Sequence, residues 1–164
     1  MPKINLKSNN RKISMFATFL TFLFGIIMFF FPLLVVFFIP QSAIGNYFID
    51  HIYYTFLILP IIFYIIITGF YCYSIKIDVY IMHITSFRTL SGLLIRRNYI
   101  EVPHDMLKQY SFYNRPFTVN KTLMLKIQDN NGKKIIKRFD ISFLSKREEI
   151  RISKVFEEII AKNI

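Results

Sequence analysis

Between Lys12 and Lys76 the chain carries no lysine or arginine, and Asp50 is the only acid in that stretch. Soluble domains carry about one charged residue in four. A stretch this long with a single charge therefore belongs in lipid. It divides into two apolar runs. The first, Met15 to Ile39, exceeds the roughly 30 Å hydrocarbon core at about 1.5 Å per residue and can cross it with some tilt. A signal peptide has a shorter apolar core, about 7–15 residues, ending at a small-residue cleavage site. Here bulky residues fill the far end and Gln41-Ser42-Ala43 is a poor match, so an uncleaved span is expected. The second run is Ile52 to Tyr73. The link between them, Pro40 to His51, contains Gln41, Ser42, Gly45, Asn46 and Asp50, which suit a turn in water or headgroups. So short a link makes the spans an antiparallel hairpin.

Charge sets the expected orientation. Lys3, Lys7, Arg11 and Lys12 precede the first run, the link has no base, and bases resume at Lys76. Residues 74–164 hold 17 bases against 9 acids, a net charge of 17 − 9 = +8. By the positive-inside rule both termini are cytoplasmic and the link is external. The expected division is a basic cytoplasmic N-terminus over 1–14, spans over 15–39 and 52–73, an external loop over 40–51, and a cytoplasmic domain over 74–164. Tyr47, Tyr53 and Tyr54 at one boundary, with Tyr71 and Tyr73 at the other, suit aromatic belts. Pro32 and Pro60 are expected to kink their spans at similar depth. No ionisable residue falls mid-membrane, which argues against an ion path or proton relay.

Ala17, Thr21 and Gly25 recur every four residues, and in a hairpin that half of span one faces Thr68, Gly69 and Cys72. Small residues on both sides permit close backbone approach, so these residues are expected to form the packing seam. Cys72 is the only cysteine, which excludes an intrachain disulfide.

After the second run the period changes. Ile75, Ile77, Val79 and Ile81 alternate with Lys76, Asp78, Tyr80 and Met82, as in a half-buried strand. Further strands are expected at Phe87–Ile95, Asn98–Val102, Gln109–Tyr113, Leu123–Gln128 and Lys134–Ile141. Asp129-Asn130-Asn131-Gly132 supplies a hairpin turn between the last two, because Asn and Gly accept positive φ. Ser145 followed by Glu148 has the capping-box pattern. Ile152, Val155, Phe156 and Ile159 then follow helical spacing, which predicts an amphipathic helix over 146–162. Antiparallel strands closed off by one helix make a small α+β domain.

This order of two spans, strands and one terminal helix resembles the bacterial membrane proteins that carry a pleckstrin-homology-like (PH-like) domain after a two-helix transmembrane hairpin. The local match is Ser91-Gly92-Leu93-Leu94-Ile95-Arg96-Arg97-Asn98-Tyr99-Ile100-Glu101-Val102-Pro103, a Gly-Leu-Leu, basic pair, apolar-Pro passage, with His104-Asp105-Met106-Leu107 as the turn after it. The chain departs from that pattern in its few glycines and in the loop from Tyr113 to Phe117. The resemblance implies an antiparallel PH-like sheet or barrel closed by a C-terminal helix, a bacterial inner (plasma) membrane location, and a binding or scaffolding role.

No catalytic signature is present. The glycines, at 25, 45, 69, 92 and 132, are too scattered for a phosphate-binding loop. Neither HExxH nor a paired CxxC occurs, so no metal site or cofactor is expected. His104-Asp105 with Ser111 reads as a polar turn, because its spacing fixes no catalytic geometry. The bases are more informative. Arg96, Arg97, Lys146, Arg147, Arg151 and Lys154 are candidate contacts for anionic lipid headgroups or a protein partner, and Lys133-Lys134 and Lys137-Arg138 form further clusters. Phe112, Tyr113 and Phe117 with Arg115 are a thin basis for nucleic-acid binding, and a membrane tether argues against it. The expectation is a non-enzymatic membrane protein whose basic domain meets the leaflet or a partner. The alternative is a toxin-immunity or accessory protein acting through its hairpin.

Overall fold

A computed structural model describes residues 5–90, 98–129 and 132–163. The chain forms two compact units, one made of Met1–Met15 with Phe70–Ile164 and the other of Phe16–Gly69.

The first unit is α+β. Strands β1 (Leu6–Asn9), β2 (Tyr71–Ile77), β3 (Ile81–Arg88) and β4 (Asn98–Pro103) form an antiparallel sheet in sequence order. Strands β5 (Leu107–Asn114), β6 (Asn120–Gln128) and β7 (Lys134–Ser142) form a second antiparallel sheet. Helix α4 (Lys146–Lys162) comes last, with the bounds its sequence pattern predicts. Alternation explains the core: Ile75 and Ile77 are buried while Lys76 between them is exposed. Met82 and Ile84, Leu123, Leu125 and Ile127, and Phe139 and Ile141 repeat the pattern. The apolar stripe of α4, Ile152, Phe156 and Ile159, is buried in the same cluster. Each such side chain contributes about 1.5–3 kcal/mol on burial. Among the described residues the two sheets do not join into a closed barrel.

Three differences from the sequence reading have physical causes. Residues 1–14 are not a simple tail, because Leu6 and Ser8 pair with Ile77 and Ile75, and both are buried. The strand read through Val79 and Ile81 breaks at Asp78, whose N–H donates to the Ile81 carbonyl 2.9 Å away, closing a turn. The second apolar run ends as a helix at Thr68, and Tyr71, Cys72 and Tyr73 already belong to β2. Tyr73 is accordingly no belt residue. It is 2% exposed, and its hydroxyl lies 3.1 Å from Ser8 Oγ.

In the second unit, α1 (Arg11–Phe38, which begins in the first unit) is followed by α2 (Ala43–Asp50) and α3 (Tyr53–Thr68). α1 is long and apolar enough to cross a membrane. The 16 residues of α3 span about 24 Å, short of the hydrocarbon core; α2 and α3 together have the length and apolarity of a span but meet at 64°. Ser42 caps α2, accepting from the Gly45 N–H at 2.9 Å. Gly25 faces Ile62, where an added Cβ would stand 3.2 Å from Cδ1. The rings of Phe29 and Phe56 are 6.4 Å apart. The pairs run in opposite directions, so α1 and α3 pack antiparallel. Pro32 and Pro60 lie inside α1 and α3.

Candidate membrane-facing edge

One end of the α+β unit gathers both places where its chain departs. β2 starts there at Tyr71, paired with Arg88 at the end of β3. Asn10, just before α1, holds the end together. Its Nδ2 donates to the Ser142 carbonyl at 2.6 Å, to Ser14 Oγ at 2.7 Å and to the Tyr71 carbonyl at 3.0 Å. Its Oδ1 accepts from the Tyr73 N–H at 2.7 Å. Ser142 Oγ accepts from the Tyr71 N–H at 2.7 Å, and Ser86 Oγ donates to the Asp140 carbonyl, so hydrogen bonds join the two sheets here. The Thr89 N–H donates to the Phe70 carbonyl at 2.9 Å. The Phe70 and Phe143 rings stand 5.1 Å apart, and the Phe143 N–H donates to the Val119 carbonyl at 3.3 Å. The start of α1, the start of β2, the β5–β6 loop and the start of α4 therefore share this edge.

The edge is basic at its surface. Arg11, Lys12, Lys146 and Arg147 are exposed. The acids beside them turn inward. Glu148 accepts from Ser8 Oγ at 3.1 Å, and Glu149 pairs with Lys121. Asp140 is held by Arg115 at 2.7 Å. Among the described residues Lys146, Arg147 and Lys154 enter no ion pair. Asp78, Asp105, Asp129, Glu157 and Glu158 belong to the opposite end, at the β2–β3 turn, the short 3-10 turn His104–Met106 between β4 and β5, the end of β6 and the second half of α4. Lys108, Lys126, Lys133, Lys134 and Lys162 lie at that end with them and offset their charge, so the excess positive charge of the unit sits toward the edge.

The candidate bases on α4 do not stand together at the edge. The helix runs away from the edge and ends where Asn163 Nδ2 donates to the His104 and Leu107 carbonyls at 2.6 and 3.1 Å. Lys146 and Arg147 stand at the edge. Arg151 donates to the Lys7 carbonyl at 3.1 Å, and Lys154 lies about 12 Å along the helix from Lys146. Arg96 and Arg97, with the Ser91-to-Arg97 part of the PH-like match, lie outside the described residues. Sequence reasoning missed Arg11 and Lys12 as partners of Lys146 and Arg147, since nothing in their spacing joins residues so far apart in the chain. Leu6 to Asn9, Leu-Lys-Ser-Asn, pairs as β1 with only one apolar residue to mark it.

The expected seam residues separate. Gly25 is buried against Ile62. Ala17 and Thr21 are half-buried, and Thr21 Oγ1 donates to the Ala17 carbonyl at 2.8 Å. Gly69, at φ 60°, caps α3, its N–H donating to the Ile65 carbonyl at 2.8 Å. Its lack of a Cβ suits that backbone. Cys72 lies in β2, with Sγ 3.9 Å from the Arg11 carbonyl oxygen, and burial pushes its thiol pKa up. Neither Gly69 nor Cys72 lies within α3.

Elsewhere the unit offers open grooves. One, of about 370 Å³, is lined by Asn98, Tyr99, Lys137 and Arg138 among others. Hydrogen bonding to Glu101 raises the Tyr99 pKa. His104, half-buried, has its pKa lowered by burial, and its Nε2 meets no hydrogen-bond partner. No group of His, Cys, Asp or Glu among the described residues is arranged to hold a metal ion. Comparison with protein-family models, curated proteins and solved structures finds no match.

Proposed function

We propose that this chain is a non-enzymatic, two-span inner-membrane protein with both termini cytoplasmic, whose PH-like unit docks by its basic edge on the anionic leaflet that anchors it. The observation that carries this reading is the polarity of the α+β unit. Arg11, Lys12, Lys146 and Arg147 are exposed at the end from which the chain leaves toward apolar helices, while the neighbouring acids are engaged inward. Each base held near an anionic surface contributes roughly 1 kcal/mol. The four-plus-three arrangement of strands followed by α4 supports the PH-like assignment. The antiparallel packing of α1 and α3 supports the hairpin, with local thinning of the bilayer accommodating the short α3.

Hydrogen exchange on the full chain in vesicles tests the docking. With anionic lipid, the amides of Thr89, Leu90 and residues 117–119 exchange more slowly than with neutral lipid. Raising salt abolishes the difference, because the attraction decays over a Debye length of roughly 8 Å at physiological ionic strength. Lys146→Gln with Arg147→Gln reduces it strongly, and Lys154→Gln much less. Equal exchange in both lipids at low salt refutes the reading.

A further inference from the structure

The β5–β6 loop is firmly built and displays an aromatic ring to solvent. The Arg115 N–H donates to the Asn120 carbonyl at 3.1 Å, and Thr118 Oγ1 donates to the Arg115 carbonyl at 3.2 Å. The Asn120 N–H donates to Thr118 Oγ1 at 3.2 Å. The Arg115 guanidinium braces the loop on Asp140 at 2.7 Å and Thr122 at 3.2 Å. At its tip Phe117 has φ 58° and is 95% exposed. A bulky residue in left-handed backbone is a local strain that the surrounding structure must hold in place. Phe143 shares that backbone, with its ring 5.1 Å from that of Phe70. Val119 beside the tip is also half exposed.

The position of the loop indicates a cover for this ring. The Val119 carbonyl accepts from Phe143, whose ring lies on Phe70, the residue joined to the Gly69 cap of apolar α3. The exposed bases Arg11, Lys12, Lys146 and Arg147 share the edge and match anionic headgroups in charge. An exposed phenyl ring at the tip of such an edge suits burial at the headgroup–acyl boundary, where the Trp, Phe and Leu side chains of interfacial segments insert. We propose that Phe117 is an apolar anchor which the β5–β6 loop sets into the interfacial layer of the anionic leaflet, an inference that rests on the docking described above.

The chain contains no tryptophan, so Phe117→Trp installs a single reporter while keeping an aromatic ring. The full chain is placed in vesicles containing anionic lipid. The expected result is blue-shifted emission, quenching by acyl chains brominated near the headgroup, and protection from aqueous iodide. Tyr80→Trp, at the β2–β3 turn on the opposite end and 78% exposed, gives water-like emission open to iodide. The anchor is overturned if the Phe117→Trp indole is as open to iodide as the Tyr80→Trp indole. Blue-shifted emission without bromolipid quenching also overturns it, and indicates that a second copy covers the ring. Repeating the measurement with Lys146→Gln and Arg147→Gln separates the two proposals. A water-exposed Phe117→Trp indole alongside salt-sensitive exchange protection elsewhere on the edge removes the anchor and leaves the docking. Equal insertion with neutral lipid and without the two bases removes the charge-driven docking and, with it, the anionic leaflet as the surface that takes the ring.

Discussion

At the scale of single residues, buried polar groups set the most demanding constraints. Asn10 is 3% exposed and satisfies groups on three chain segments, which is how a residue early in the chain comes to organise a domain that resumes sixty residues later. No sequence pattern marks it, since an Asn before a helix usually reads as a local cap. His104 gives a pH signature. Burial disfavours its imidazolium, so its folded pKa lies below the usual 6.5. Between the folded and unfolded values the unfolded chain binds a proton that the folded chain refuses. Its contribution to stability is therefore complete above the unfolded pKa and is lost as pH falls below it, the loss levelling off under the folded pKa. Melting of the full chain followed from pH 7.5 down to about 5 should show a steeper fall for the native protein than for His104→Gln. Parallel curves would show that His104 carries no part of the acid sensitivity.

At the scale of elements, the sequence was most legible where local chemistry and burial agree. The α4 helix is such a case. Ser145 Oγ accepts from the Glu148 N–H at 3.2 Å, as the capping box predicts, and the helix ends at Lys162. Ser145→Ala should lower stability by about 0.5–2 kcal/mol, read as a drop in the thermal midpoint of the full chain, because a first-turn amide loses its acceptor. An unchanged midpoint would mean that water replaces the hydroxyl without cost. The end of the second apolar run was less legible, because hydropathy does not distinguish a lipid-facing helix from a buried strand. Tyr71, Cys72 and Tyr73 are as apolar as a span requires, yet Cys72 and Tyr73 are buried in a sheet. The feature that ends the helix is Gly69, whose positive φ turns the chain. The turn expected over Asp129-Asn130-Asn131-Gly132 includes Asn130 and Asn131, which lie outside the described residues; at its ends Gly132 has φ 75°, and its N–H donates to the Asp129 carbonyl at 2.8 Å.

At the scale of the whole molecule, the α+β unit is discontinuous, with the apolar helices inserted between its first strand and the rest. Charge alone separates the apolar stretch from the basic residues after Lys76, but it leaves Leu6 to Asn9 looking like a basic tail, because pairing across such a separation is set by tertiary contact rather than by local pattern. The arrangement makes a definite demand. β1 supplies Leu6 to the core, and Ser8 hydrogen-bonds Tyr73 and Glu148. Asn10 comes directly after β1 and closes the edge between the two sheets. A fragment beginning at residue 75 lacks all of these and the start of β2, leaving the β2 edge unpaired and the core open beside Ile75 and Ile77. Within the full chain, Leu6→Asp should place an unpaired charge in that core, at a cost of several kcal/mol. Lys7→Asp, on the exposed face of the same strand, should cost less than about 1 kcal/mol. Limited proteolysis of the two variants in the same membranes reads the difference. Leu6→Asp should make residues 98–163 readily cleaved while the apolar segment stays protected, and Lys7→Asp should cleave like the native protein. Equal resistance in both variants would show that the sheet stands without β1 and that the unit begins at β2.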